Sequence, residues 1–481
     1  MYKYFNGMST IKTTKKDIIW NYIAIFFNMG AGVLVLPMIL HYLSADEIGL
    51  NYLMLTISSM VALIDFGFSP QIGRNVTYAL SGAKKVEKEG LQYDANEEPN
   101  YRLLAVVIKA AKYIYQRLSL VALILLLTFG TWYIHHVTHG FADVKNIFWI
   151  WLLFCFSSFF NLYFIYYRSL LTGSGKIYES SVSVIISRLA YIVVCGVMVY
   201  MGGGLFSIVA ANIAAPLVLF LYSHIKFYTP EMNACLPRDI ADKETKEAIS
   251  GMWYNAKRLG INSLGTFGIL KANLFLTGLF LPLATVGSFG LLTQIVPTLS
   301  GISSALFNSF VPQISSLQVK HDNETITRKL SVMVIVYWAM MIVGGLAMIW
   351  LLPPILRLIG SNTEMPSMIV CVLYLIVMIL EGNHTIFSTV ITTSNKVPFM
   401  EAGLISGLLI TIFTFLSLRF TNLGLVGVVM SQGVVQLVYN NWKWPLWVLR
   451  DLEVTVSDFV TQGFTGISCI IKVNYNKLII K

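Results

Sequence analysis

The chain has 481 residues, of which 56% are hydrophobic and only 12% charged, about half the charged share of an ordinary soluble domain. That composition excludes a soluble enzyme and defines a polytopic membrane protein. The formal net charge of +10 would suit a nucleic-acid partner, but the placement of the cations accounts for it without one.

Residues 1–17 are polar and carry Lys3, Lys12, Lys15 and Lys16. The apolar stretch behind them, Ile18 to Leu40, is too long for the core of a signal peptide and reads as a first span. In all, the hydropathy pattern predicts about twelve spans, at 18–41, 50–69, 118–138, 146–167, 180–201, 205–227, 258–280, 284–309, 331–356, 367–390, 401–419 and 424–447. Each is near the ~20 residues that cross a hydrocarbon core. All must be helical, because lipid offers free backbone groups no partner.

Of the 34 lysines and arginines, all but five fall in the N-terminal tail, the inward loops or the C-terminal tail when the N-terminus is placed inside. Lys145, Arg357 and Arg419 lie outward, and Arg188 and Lys271 fall within spans. The positive-inside rule then predicts that both termini are cytoplasmic. The segment Tyr101 to Arg117 mixes Arg102, Lys109, Lys112 and Arg117 with apolar residues. It reads equally as a helix along the inner surface or as an extension of the third span. Lys84 to Asn100 reads as a charged, mobile piece, and the tail from Asp451 carries no clear signal.

The chain also matches itself. Gly49 corresponds to Gly287 at an offset of 238, and Pro70-Gln71-Ile72 to Pro312-Gln313-Ile314 at 242. Leu171 to Ile177 corresponds to Ile391 to Val397, and Gly204 to Val209 corresponds to Gly424 to Val429, both at 220. Four matches in one order argue for a duplicated half, a mark of many transporters. Six helices per half is even, so the halves run in the same direction. The expected organisation is a cytoplasmic N-terminus (1–17), an N-lobe (18–227), a linker (228–257), a C-lobe (258–447) and a cytoplasmic tail (448–481), with two parallel six-helix lobes around a central cavity.

A first span ending in LPMILHYLSADEIG, a second ending in LIDFGFSPQIGR and the turn LLTGSGK after the fourth resemble the polysaccharide-transporter family. These are lipid-linked oligosaccharide flippases that move O-antigen and capsule repeat units, in the superfamily of lipid II flippases and multidrug exporters. The resemblance implies a substrate of undecaprenyl pyrophosphate carrying an oligosaccharide, and a polar, cationic lumen. It also implies coupling to a proton, another cation or the membrane potential, and no other cofactor. The implied setting is a bacterial inner membrane, with polymerase and ligase machinery as partners.

Ionisable residues inside spans cost about 2.5–3.5 kcal/mol on insertion scales and mark candidate sites. Glu381 shares a helix face with Tyr374, Thr385, Ser388 and Thr392, with His384 to one side. It reads as a coupling carboxylate or as a buried structural ion pair. Arg188 would hold a pyrophosphate through forked hydrogen bonds, or else snorkel or pair with Asp65. Lys271 reads as a second phosphate ligand, although Asn262, Thr266, Asn273 and Thr277 lie on the opposite face of an ideal helix. Asp65 is a gate contact to Arg74 or a helix-end ion pair. Asn28 lines the lumen or bonds a neighbouring helix.

No metal site is expected. His135, His136 and His139 lack companion ligands, and Cys155, Cys195, Cys235, Cys371 and Cys469 are scattered. Gly202-Gly203-Gly204 lacks the ending of a phosphate loop. Two other functions remain open at this level. One is a cation-coupled drug exporter of the same superfamily. The other is a membrane glycosyltransferase or polymerase, suggested by Asp46-Glu47 but disfavoured by the short outward loops.

Overall fold

A computed structural model describes residues 15–86, 98–237, 239–319, 322–393 and 398–479. Most of the N-terminal tail, the middle of the charged piece after Lys84, and residues 394–397 of the third repeat match lie outside the described residues.

The described residues contain helices and no strand. In chain order these are α1 (Lys15–Tyr42), α2 (Ala45–Leu63), α3 (Phe68–Leu80), α4 (Tyr101–Leu125), α5 (Thr131–Val137), α6 (Ile147–Gly173), α7 (Ile177–Tyr200), α8 (Gly204–Phe227), α9 (Pro230–Cys235) and α10 (Asp242–Leu270). There follow α11 (Ala272–Phe280), α12 (Leu283–Ser303), α13 (Ala305–Val319), α14 (Asn323–Leu358), α15 (Met368–Thr392), α16 (Met400–Phe420), α17 (Gly424–Val438), α18 (Asn440–Asp451) and α19 (Val456–Ile479).

Among the described residues, eight helical runs are long and apolar enough to cross a membrane, and eleven when each of three bent pairs counts as one. The twelfth expected span, 424–447, is broken at Tyr439 into α17 and α18. The run Tyr101–Val137 is continuous through a π-helical turn at Leu126–Gly130. The basic segment 101–117 is therefore an extension of the third span.

The chain divides into two compact units, Met1–Leu264 and Gly265–Lys481, with the border inside α10. In the first, α1 packs on α7, α7 on α8, α8 on α6, and α6 on α2, α3 and α4. In the second, α11 packs on α16, α16 on α17, α17 on α15, and α15 on α12, α13 and α14. Each of these pairings has its counterpart in the other unit, although α2 also meets α8 in the first and α12 also meets α14 in the second. Local geometry repeats too. Gly49 and Gly287 are both the fifth residue of their helices, and both are buried. Gly204 and Gly424 both open a helix in the left-handed region, at φ 51° and 54°, where a side chain would be strained.

Within the first unit, α2 starts with a capping box: Glu47 N–H donates to Ser44 Oγ (3.2 Å) and Ser44 N–H to Glu47 Oε2 (2.9 Å). The other oxygen of Glu47 accepts from the Leu205 N–H at the start of α8 (2.9 Å). One carboxylate thus caps two helices, and a Cβ on Gly204 would collide with it. This spends half of the acidic pair that suggested an enzyme.

The expected linker, 228–257, is largely helical. Its α10 portion is tied to α4 by Arg102–Glu244 and Lys109–Asp242, each at 2.8 Å. The Lys109 ammonium holds the Asp242 carboxyl below the usual carboxylate range. Trp253 lies against Phe66 and Phe68 at the α2–α3 corner.

In the second unit the end of α10 crosses α16 backbone to backbone. A Cβ on Gly268 would sit 2.8 Å from the Gly407 Cα, and one on Gly265 would sit 3.0 Å from the Gly403 carbonyl carbon. The tail is ordered helix as well. In α19, Gly463 and Gly466 lie against Ser331, Val332 and Ile335 of α14, and Phe459 meets Phe387.

Candidate functional site

The first unit contains a partly open cavity of about 370 Å³ walled by α1, α2, α6, α7 and α8. Its polar lining includes Asn28, Ser158, Asn161, Arg168, Arg188 and Asn212, and no Asp or Glu among the described residues lines it. Two candidates that lie 160 residues apart meet here. Arg188 donates from Nε (2.9 Å) and Nη2 (2.6 Å) to the Asn28 side-chain oxygen. Asn28 stands where α1 bends by 41°. Because an amide oxygen is neutral, it fixes the guanidinium without cancelling its charge. Arg188 pairs with Asn28, not Asp65.

Arg168 is the residue that sequence reasoning missed. The fourth span was drawn to 167 because ~20 residues suffice to cross, but α6 continues to Gly173. Arg168 therefore lies about 8 Å inside the Gly173 end of α6, and Arg188 about 17 Å inside the Ile177 end of α7, at ~1.5 Å per residue. The short turn 174–176 joins those ends. Neither arginine has a carboxylate partner among the described residues. Higher in the cavity, Asn161 donates to the backbone oxygens of Ser157 (3.0 Å) and Asn212 (3.1 Å). The Ser158 hydroxyl is buried with no partner among the described residues.

Asp65 sits outside this group. It lies at the α2–α3 corner, where Phe66 and Gly67 are left-handed (φ 47° and 79°). Its carboxylate accepts from the Ser69 N–H at 3.3 Å, capping α3, and from the Tyr115 hydroxyl. Arg74 is exposed and makes no ion pair with it. A corner cap, rather than a contact with Arg74, is the geometry found.

The second unit holds Glu381, His384 and Lys271 apart from one another in two places. Lys271 is the break between α10 and α11, which bend by 46°. Its own conformation (φ −127°, ψ −30°) is not helical. That resolves the conflict of faces: Asn273 and Thr277 are buried on α11 while Lys271 is exposed.

Glu381 is buried, and its Oε2 accepts from Gln436 Nε2 at 2.8 Å. His384 Nδ1 stands 3.6 Å from Oε1. The chain of amides continues, because Asn440 Nδ2 donates to Gln436 Oε1 (2.7 Å) and to Ser406 Oγ (2.8 Å), and Trp444 Nε1 donates to Asn440 Oδ1 (3.0 Å). Gln436 and Asn440 flank the Tyr439 break and were also passed over in the sequence. Polar amides inside a span were the available signal.

At the other end of α5, His139 Nδ1 meets Asp143 at 2.8 Å, and His136 stacks on Trp132. No group of three His, Cys, Asp or Glu side chains placed to hold a metal occurs among the described residues.

The fold is that of membrane transporters. The chain is similar to the inward-facing form of a multidrug resistance MATE family transporter of the MOP superfamily, with 12% identity, 91% of this chain and 98% of that one covered, and a TM-score of 0.63. It is equally similar to the lipid II flippase MurJ in its inward closed conformation, at 13% identity, 95% and 93% coverage and a TM-score of 0.63. A MOP superfamily transporter from Pyrococcus furiosus aligns at 13% identity, 92% and 100% coverage and a TM-score of 0.50. No curated protein matches the chain. The family model for polysaccharide biosynthesis proteins matches residues 14–318, and the chain belongs to that family.

Proposed function

We propose that the protein is a flippase for undecaprenyl-pyrophosphate-linked oligosaccharide repeat units. It moves them from the cytoplasmic to the periplasmic leaflet of a bacterial inner membrane, for O-antigen or related polysaccharide synthesis. The observation that carries this reading is the cavity with two arginines and no carboxylate. Each cation within a span is costly unless an opposite charge offsets it, and a pyrophosphate supplies that charge. Arg188, oriented by Asn28, and Arg168 bind the diphosphate, while Ser158, Asn161 and Asn212 offer hydrogen bonds to the sugar.

Family membership supports a role in polysaccharide export, and the duplicated units suit alternating access. Lys271 serves as a further phosphate contact, and Glu381 with His384 carries the coupling ion. Both termini lie in the cytoplasm, and the exported units pass to polymerase and ligase machinery. The protein performs no bond chemistry of its own.

The test is deletion of the gene in its host followed by extraction of lipid-linked intermediates. Complete repeat units accumulating on the cytoplasmic face are expected. Truncated units would instead indicate a glycosyltransferase, and altered drug sensitivity without accumulation would indicate an exporter.

A further inference from the structure

The Leu358 end of α14 and the start of α15 carry a group of sulfur atoms that the transporter reading does not use. The run Met365-Pro366-Ser367-Met368-Ile369-Val370-Cys371 spaces two methionines and a cysteine at equal intervals. All three side chains line one partly open cavity of about 180 Å³, together with Trp350 of α14.

The backbone accounts for their meeting. Ser367 is the N-cap of α15, at φ −53° and ψ 148°, so the chain arrives extended and turns into helix at Met368. Met368 and Cys371 then stand at i and i+3, neighbours on one helix face. The Cys371 thiol donates to the Pro366 carbonyl at 3.5 Å. That bond folds the sulfur back over the helix start, beside the segment that carries Met365. The loop before it is braced as well. Ser361 Oγ donates to the Thr363 carbonyl (2.9 Å) and accepts from the Thr363 N–H (3.1 Å).

Methionine and cysteine most often fill gaps in apolar cores. That role does not suit this group. Met368 is 61% exposed, and the three sulfur-bearing side chains border open space. No Asp, Glu or His among the described residues lines the cavity, and Glu364, next to Met365, is exposed outside it. Thioether and thiol donors without carboxylates select a soft ion such as Cu(I) over magnesium or calcium. An indole beside them adds a ring face that attracts a cation.

We propose that Met365, Met368 and Cys371 form a binding site for a soft monovalent cation, Cu(I) or Ag(I), with Trp350 alongside. The two thioethers give lone pairs as they stand. The thiol passes its proton to water, and its sulfur bonds the metal as thiolate. The positive and negative charges then cancel, and the oxidation state of the metal does not change. A neutral complex is cheap to hold at the end of a span, whereas a divalent ion on the same donors would leave a net charge there. Once bound, the ion ties the loop before α15 to the first turn of that helix. This site goes beyond the transporter reading and does not depend on it.

The test is an anaerobic titration of the purified full-length protein in detergent with Cu(I), held at low free concentration by a competing chelator. The informative variant is Met365→Leu with Met368→Leu. Leucine keeps the volume, and every thiol stays in place, the exposed Cys235 included. Loss of outer-shell partners alone costs about 10–100-fold in metal affinity, so removal of two direct donors should weaken Cu(I) binding at least ~100-fold. Cys371→Ser should weaken it as well, and equimolar Zn(II) should not displace the ion, because zinc takes Cys, His and carboxylate ligands rather than thioethers. If the double variant does not fold, Met368→Leu alone, at an exposed position, should still lower the affinity ~10-fold. No Cu(I) uptake by the parent, equal affinity in the parent and the methionine variants, or displacement by Zn(II) would each overturn the proposal.

Discussion

The two units share one helix pairing and differ in what they hold. The first holds a partly open cavity with two arginines and, among the described residues, no acid. The second buries one carboxylate in a chain of amides. Their outer corners differ as well. Gly204 is pressed against Glu47, which ties α2 to α8, whereas a Cβ on Gly424 would meet nothing within 4 Å. The backbone solution is the same at both corners, since φ is 51° at one glycine and 54° at the other. The interior charges are where the copies parted. A fold held by helix pairing leaves its interior polar positions free to take opposite signs, and here one unit carries two arginines and the other a glutamate.

The sharpest way to break this contrast is at the arginines. Replacing Arg168 and Arg188 together by Gln should reduce translocation at least ~100-fold, because each charged hydrogen-bonding group is worth roughly 1.5–3 kcal/mol. Reconstituted vesicles carrying the labelled lipid-linked substrate would measure it, and binding should fail along with transport. Glu381→Gln should leave substrate binding in place and slow transport roughly ten-fold. If the arginine and glutamate variants lost the same property, the division of labour between the units would fall.

Asn28→Ala sharpens the comparison inside the first unit. It leaves both arginines but frees one of them, and substrate affinity should drop about five- to ten-fold, for a bond of ~1 kcal/mol. The glycine pair tests the corners. Gly204→Ala should cost about 2–3 kcal/mol, from strain plus collision with Glu47, and Gly424→Ala only about 1 kcal/mol, from strain alone. Thermal unfolding in detergent would separate them. The smallest effect concerns Asp242. Its carboxyl is held low in the folded state by Lys109, so the tie to α4 is intact above the ordinary aspartate range, ~4. It is lost as pH falls through the depressed folded value. Hydrogen exchange in the first turns of α10 should rise there, and Lys109→Met should abolish the pH dependence.

Much of the fold was legible because a span must be long and apolar, and because Gly and Pro at helix ends preserve the repeat. The site was legible residue by residue but not as an arrangement. Asn28 and Arg188 both stood out, yet nothing in the sequence joins positions in different helices. Arg168 was lost to a length rule, since a 27-residue helix exceeds what crossing requires. The conflict of faces at Lys271 arose because a helical wheel assumes a straight helix, and Lys271 is where it breaks. Asp65 was read for its charge, whereas its work is local: it caps a corner that only left-handed backbone can turn.

The crossing of α10 and α16 has a mechanical consequence. Helices usually lock through side-chain ridges seated in grooves, with axes about 8–10 Å apart. At Gly265, Gly268, Gly403 and Gly407 there are no ridges. The two backbones meet there directly, while Ile269 and Ile410 pack beside the crossing and Thr414 donates to Asn273 further along (2.8 Å). The crossing therefore has no slack, and a single added methyl group at Gly268 or Gly407 would push the two helices apart.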